Sequence, residues 1–167
     1  MEATESYVHK KEVDWSLLHE GLTLPVANQV VFGRLMNRFL ARGESKSINL
    51  YLNGKSYAAK ITNVNFAQKF HRVKDTLQIR YSRNGELAQA LRGCFARSYQ
   101  FFVDKRKFRQ SDDRSIIRLP KEVVEYLAIY TTEYDDTYIL EPIFAEDISA
   151  LQKFVENQSE RFVEASF

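Results

Sequence analysis

The stretch Ser47-Ile-Asn-Leu-Tyr-Leu-Asn-Gly-Lys-Ser-Tyr-Ala-Ala-Lys-Ile-Thr-Asn-Val-Asn-Phe66 decides the fold, because polar and apolar residues alternate on both sides of Asn53-Gly54. The Asn-Gly dipeptide favours the positive φ angles of a type I′ turn, so the pattern predicts a hairpin of two antiparallel strands. On the second strand Lys60 and Thr62 share the polar face, while Ile61 lies on the apolar face.

The segments around this hairpin have their own periodicity. Residues 21–25 predict a brief strand that ends at a proline, and residues 26–41 predict an amphipathic helix. After the hairpin, residues 76–82 predict a third strand with Gln78, Arg80 and Ser82 opposite three apolar residues. Residues 86–103 predict a second helix, which a polar, highly charged segment follows at 104–114.

The two ends of the chain are less regular. Residues 1–13 are polar and predicted to be frayed, and residues 126–130 fit a helix or a strand equally well. Residues 138–143 predict the last strand, placed at a sheet edge because it contains Pro142. An amphipathic helix is predicted at 145–164. Together these elements predict an α+β fold of short, mostly hairpin-linked strands interrupted by helices.

The charge is distributed unevenly along the chain, although the formal net charge of 167 residues is only +2. Residues 34–118 contain 19 basic residues (Lys and Arg) and 6 acidic residues (Asp and Glu). Residues 1–33 contain 2 basic and 5 acidic residues, and residues 119–167 contain 3 basic and 11 acidic residues. A basic centre between acidic ends indicates a polyanionic partner. The alternative is a basic face that an acidic tail neutralises within one molecule.

Length and cysteine content limit the class of protein. A hydrophobic fraction of 44% supplies one core, and the length excludes a multidomain enzyme. The single Cys94 cannot form an internal disulfide or a four-thiolate metal site, and the opening residues contain no apolar stretch of signal-peptide or membrane-spanning length. We therefore expect a cytoplasmic protein with no membrane association.

The sequence contains no recognised catalytic motif. Gly54-Lys55-Ser56 ends like a phosphate-binding loop, but it lacks the upstream glycine and precedes a strand where a helix is required. Glu44-Ser45-Lys46 has the Glu-x-Lys spacing of many metal-dependent nucleases, but it lies in a predicted loop, with Asp14 as the nearest upstream aspartate. We predict neither a cofactor nor a metal site, and a compact metal-dependent DNA nuclease is the alternative.

Nucleic-acid binding follows from the coincidence of basic residues with strand alternation. If the polar faces of the second and third strands lie on the same side of the sheet, they form one surface. Its side chains are of the types that contact phosphates and base edges in DNA. Arg is suited to guanine, and Asn or Gln to adenine. The candidate DNA-binding residues on these strands and the neighbouring loops are Lys55, Lys60, Thr62, Lys69, His71, Arg72, Lys74, Gln78, Arg80, Ser82, Arg83 and Asn84.

Four stretches carry a resemblance to a known family: residues 21–25, the predicted strands at 48–60 and 77–82, and residues 87–95. Together they resemble the B3-type DNA-recognition domains of prokaryotic restriction endonucleases. They are distantly similar to the plant B3 transcription-factor domain. The resemblance covers roughly residues 20–143 and implies an open β-pseudobarrel that grips the major groove with an arm from each side. It places the arms between Lys55 and Asn84, and the family joins such a domain to a separate nuclease.

The expected organisation is a lead-in at 1–19, the recognition domain at 20–143 and an acidic helix at 144–167 that serves as a linker or an oligomerisation surface. The expected function is sequence-specific binding of double-stranded DNA as the target-recognition domain of a restriction or related defence system, with a nuclease domain or subunit as a further partner. The sequence is also compatible with an RNA-binding module that stacks bases on Tyr51, Tyr81 or Phe66, and with a protein adaptor that docks through the acidic helix.

Overall fold

Seven strands and three helices are found among the residues that the computed structural model describes, which are 7–24, 43–64, 76–113, 115–134 and 136–145. The strands are β1 (Tyr7–Glu12), β2 (Gly21–Leu24), β3 (Ser45–Leu52), β4 (Lys55–Val64), β5 (Thr76–Arg80), β6 (Tyr126–Thr131) and β7 (Thr137–Ile143). The helices are α1 (Trp15–His19), α2 (Glu86–Cys94) and α3 (Ala96–Lys107), with a 3₁₀ turn at Lys121–Val123.

The strands form one mixed sheet in the order β1-β6-β7-β3-β4-β5-β2. The sheet curls into a nearly closed barrel. Every pairing is antiparallel except that of β3 with β7. The predicted α+β pseudobarrel of mostly antiparallel strands with flanking helices is therefore confirmed.

The hairpin predicted around Asn53-Gly54 is present as β3 and β4. Asn53 has φ 52° and Gly54 has φ 80°, the two positive values that a type I′ turn requires. Both strands turn their apolar residues inward, and the side chains of Leu50 and Ile61 are fully buried. The third predicted strand is also present as β5, with Ile79 fully buried between β4 and β2.

Several expectations about the other elements need correction or completion. The polar lead-in is not frayed over residues 7–12, because β1 pairs with β6. The ambiguous residues at 126–130 form β6. The helix predicted at 86–103 is two helices, since the chain leaves helical geometry at Phe95 (φ −103°, ψ 47°), and the second continues to Lys107 into the segment predicted as a charged connection.

The last strand, β7, is not at a sheet edge. It pairs with β6 on one side and β3 on the other. Its pairing with β3 ends at Leu140, however, so Pro142 lies beyond the residues that β3 covers. The helices predicted at 26–41 and 145–164 lie outside the described residues.

The core fills the inside of the curled sheet and the gap to the helices. It includes Leu17 from α1, Leu91 from α2 and Phe102 from α3, all with no exposed surface. Asp14 starts α1 by accepting a hydrogen bond from the Leu17 backbone amide on its Oδ1 at 2.8 Å. Within the described part of the chain, no helix has the length and apolar composition needed to cross a membrane.

Candidate nucleic-acid interface

The outward side chains of β2, β3, β4 and β5 form a surface that we call the polar sheet face. It consists of Thr23, Ser45, Ser47, Lys60, Thr62, Gln78 and Arg80. None of these side chains is acidic, and each alternates with inward side chains that belong to the core. The strand alternation in the sequence predicted the two polar faces separately, and the structure shows that they coincide.

The register of the strands arranges these residues in two rows across the sheet. The first row runs Ser45, Thr62, Gln78, Thr23, and the second runs Ser47, Lys60, Arg80, Gly21. Lys60 and Arg80 are therefore directly opposed on neighbouring strands, and both are exposed. Like charges in that position destabilise a sheet, so an anion bound between them would relieve a repulsion that the fold otherwise carries.

Hydrogen bonds order the first row. The hydroxyl groups of Ser45 and Thr62 are 2.8 Å apart. Gln78 donates from Nε2 to the Thr23 hydroxyl at 3.4 Å, and its Oε1 accepts from Arg80 Nε at 2.8 Å. Gln78 of the first row thus holds the side chain of Arg80 in the second row.

Arg80 lies between two open depressions of the surface. One, of about 410 Å³, is lined by Ser47, Lys60, Thr62 and Ser82 in addition to Arg80. The other, of about 480 Å³, extends over Gly21, Thr23 and Gln78 toward α1, and Lys11 and the acidic Asp14 and Glu20 also line it. The arginine is accessible from both sides of β5.

Gly21 lines the second depression and pairs with Arg80 on β2. Its φ of 152° is a conformation that only glycine adopts readily, and a Cβ atom there would lie 2.0 Å from the carbonyl oxygen of Ile79. The close approach of β2 to β5 therefore requires glycine at this position.

The turn after β5 holds three further candidate residues. Ser82 lines the first depression. Arg83 forms an ion pair with Glu20 at 2.6 Å, so its charge is already partnered at the edge of the polar sheet face. The side chain of Asn84 is exposed, and its backbone carbonyl accepts a hydrogen bond from Gln89 Nε2 at 3.0 Å.

Lys55 does not belong to the polar sheet face. It shares the inward parity of Tyr57 and Ile61, forms an ion pair with Glu86 of α2 at 3.3 Å, and lies 5.3 Å from the centre of the Tyr57 ring. The remaining candidates, Lys69, His71, Arg72 and Lys74, lie outside the described residues, as does Phe66.

The residues of the competing hypotheses have other surroundings. Tyr81 donates its hydroxyl to the Leu17 carbonyl, and burial raises the pKa of its phenol above the ordinary value. Because its ring also packs against the core, Tyr81 is poorly placed to stack a base. Tyr51 lies on the outward side of β3 and is half-buried.

For the nuclease hypothesis, the residues that the structure describes do not bring metal-binding side chains together. Asp14 caps α1 and pairs with Lys11 at 3.4 Å. Among the described residues, no three or more His, Cys, Asp and Glu side chains are grouped to hold a metal ion. Cys94 packs against the core, and burial raises the pKa of its thiol, which opposes a role as nucleophile.

Sequence reasoning missed Thr23, Ser45 and Ser47 as members of this surface. Thr23 alternates with the buried Leu22 and Leu24, which is a detectable signal, but the pairing of β2 with β5 spans more than 50 residues and has no local signature. Neither a protein-family model nor a curated protein nor a solved structure matches this chain, so the candidate interface stands on its own geometry.

Proposed function

We propose that the polar sheet face binds double-stranded DNA, and that the chain is a sequence-specific target-recognition module of a restriction or related defence system. The observation that carries this proposal is the opposed pair Lys60 and Arg80 on the polar sheet face, whose own side chains include no acid. Both residues line the depression of about 410 Å³, which has no acidic side chain in its lining. The resemblance to B3-type recognition domains supports the same function.

The two rows of the polar sheet face suit different parts of a duplex. Lys60 supplies an ammonium group on a flexible stem, which suits phosphate and gives affinity without sequence information. The hydroxyl groups of the first row, together with Arg80, are groups that contact base edges. Lys69, Arg72 and Lys74, from the basic segment between β4 and β5, would add phosphate contacts.

The proposal extends to partners and compartment. A nuclease domain or subunit would supply cleavage, and the acidic segment at 144–167 would link to it or join two copies of the chain. Such a defence system acts in the cytoplasm, the compartment that the single cysteine also favours.

The experiment compares two lysines of one strand. Fluorescence anisotropy with a short random-sequence duplex, repeated over a range of salt concentrations, measures the affinity and its salt dependence. Lys60→Ala should weaken binding to all duplexes and reduce the slope of log K against log salt by about 1. Lys55→Ala is the matched control, since Lys55 lies on the opposite side of β4 and pairs with Glu86.

Absence of salt-dependent duplex binding by the unmodified protein would refute the proposal. An equal loss of affinity in the Lys60→Ala and Lys55→Ala variants would refute it as well. Competition with duplex RNA and with single strands distinguishes the RNA-binding alternative, which predicts stronger competition by RNA. Metal-dependent cutting of plasmid that Glu44→Ala abolishes would instead support the nuclease alternative.

A further inference from the structure

We propose that Arg80 reads a guanine in the DNA target and that Gln78 is the positioning residue that aims it; this inference rests on the proposed function. It replaces the expectation that Gln78 itself reads a base edge. The hydrogen bonds that join the two side chains divide these roles between them.

The guanidinium of Arg80 is held at one of its nitrogens. Its Nε donates to Gln78 Oε1 at 2.8 Å, and within the described residues no ion pair to a carboxylate involves Arg80. An arginine held through Nε can still present its two terminal nitrogens as a planar fork. That fork matches the O6 and N7 acceptors of guanine in the major groove.

The amide of Gln78 is engaged at both ends. Its oxygen accepts from Arg80, and its nitrogen donates to the Thr23 hydroxyl at 3.4 Å. A bidentate contact with adenine needs the amide oxygen and nitrogen together, so Gln78 would have to break both bonds to make one. Thr23 and Gln78 therefore act as a brace for the arginine.

The surroundings of Arg80 leave room for a base pair to approach. Gly21 stands opposite it on β2, and both residues line the larger depression, together with Lys11, Asp14 and Glu20. Arg80 also lines the smaller depression, which contains no acidic side chain. Lys60 stands opposite it on β4 and provides a second positive charge for the neighbouring phosphate. The pair thus combines one base contact with one backbone contact.

The test is a selection of binding sites from a random duplex library, followed by affinity measurements on the selected site and on its single-base variants. The unmodified protein should prefer guanine at one position by roughly 5- to 150-fold, which corresponds to about 1–3 kcal/mol. Arg80→Ala should lose that preference at that position alone. Lys60→Ala should weaken binding uniformly and keep the preference.

Two variants of Gln78 separate positioning from base reading. Gln78→Met removes the acceptor for Arg80 Nε with little change in length, and it should lose the guanine preference while the salt dependence is unchanged. Gln78→Glu restores an acceptor, so it should keep the preference even though the added negative charge lowers the affinity for every duplex.

Retention of the guanine preference by Arg80→Ala overturns the inference, as does a Gln78→Met variant that behaves like the unmodified protein. Duplex binding by the unmodified protein without any guanine preference overturns this inference alone. A failure of all duplex binding overturns the proposed function together with it.

Discussion

Replacing Gly21 by alanine tests the packing that creates the polar sheet face. The backbone of Gly21 has φ 152°, and an added Cβ would lie 2.0 Å from the carbonyl oxygen of Ile79 and 3.1 Å from the Cα of Arg80. Neither neighbour is the end of a flexible side chain, so β2 must move away from β5 or change its own conformation.

The size of the effect follows from three contributions. Holding alanine in a conformation that is normally restricted to glycine costs about 1–3 kcal/mol. Shifting β2 weakens at least one hydrogen bond of the ladder, worth about 1 kcal/mol. The lower chain entropy of unfolded alanine offsets about 0.4–1 kcal/mol of this loss. We expect Gly21→Ala to lower the free energy of unfolding by about 1–3.5 kcal/mol, a substantial part of the ~5–15 kcal/mol of a typical domain.

Urea unfolding followed by far-ultraviolet circular dichroism measures this change, with Gly93→Ala as the matched control. Gly93 lies near the exposed end of α2, and a Cβ there meets no atom within 4 Å. The control should therefore be unchanged or more stable, by up to about 1 kcal/mol. A Gly21→Ala protein as stable as the unmodified one would refute the close approach of β2 to β5.

The remaining predictions concern the contacts of α1. Tyr81→Phe removes the hydroxyl that donates to the Leu17 carbonyl and should lower the free energy of unfolding by about 1–3 kcal/mol in the same urea assay; a loss below about 0.5 kcal/mol would contradict the contact. His19 donates from Nδ1 to the Trp15 carbonyl, and desolvation by burial is the main cause that lowers its pKa below the ordinary 6.5. The folded state then favours the neutral ring, so the contribution of His19 to stability is fully present above pH 6.5 and is lost as the pH falls through the folded-state pKa. Urea unfolding from about pH 7.5 down to about pH 5 should show a smaller loss for His19→Phe than for the unmodified protein, and identical pH profiles would contradict this reasoning.

The local parts of the fold were predictable from the sequence because their signals lie within a few residues. The alternation around Asn53-Gly54 was sufficient to predict β3 and β4, and the alternation of apolar residues at 76–82 was sufficient to predict β5. The pairing of β1 with β6 was not predictable, since it joins segments more than 100 residues apart. The bend at Phe95 was missed because the apolar period continues across it, and the position of β7 was missed because Pro142 lies beyond the short pairing with β3.

The candidate site was predictable to the same extent. Strand parity assigned Lys60, Thr62, Gln78 and Arg80 to polar faces, and the register shows that these faces coincide. Parity also contained the signal that excludes Lys55, which alternates in phase with the buried residues of β4. The ion pair of Arg83 depends on a partner 63 residues away, a contact that only the fold reveals.

Contact between the polar sheet face and duplex DNA is the claim on which the proposed function depends. The most direct measurement is the change in backbone amide resonances of ¹⁵N-labelled protein on addition of a short duplex, with the binding followed at low and high salt. We predict changes concentrated at Ser47, Lys60, Thr62, Gln78 and Arg80 that diminish as salt is raised. Changes confined to α2 and the Lys55 end of β4, or no changes at low salt, would contradict the claim.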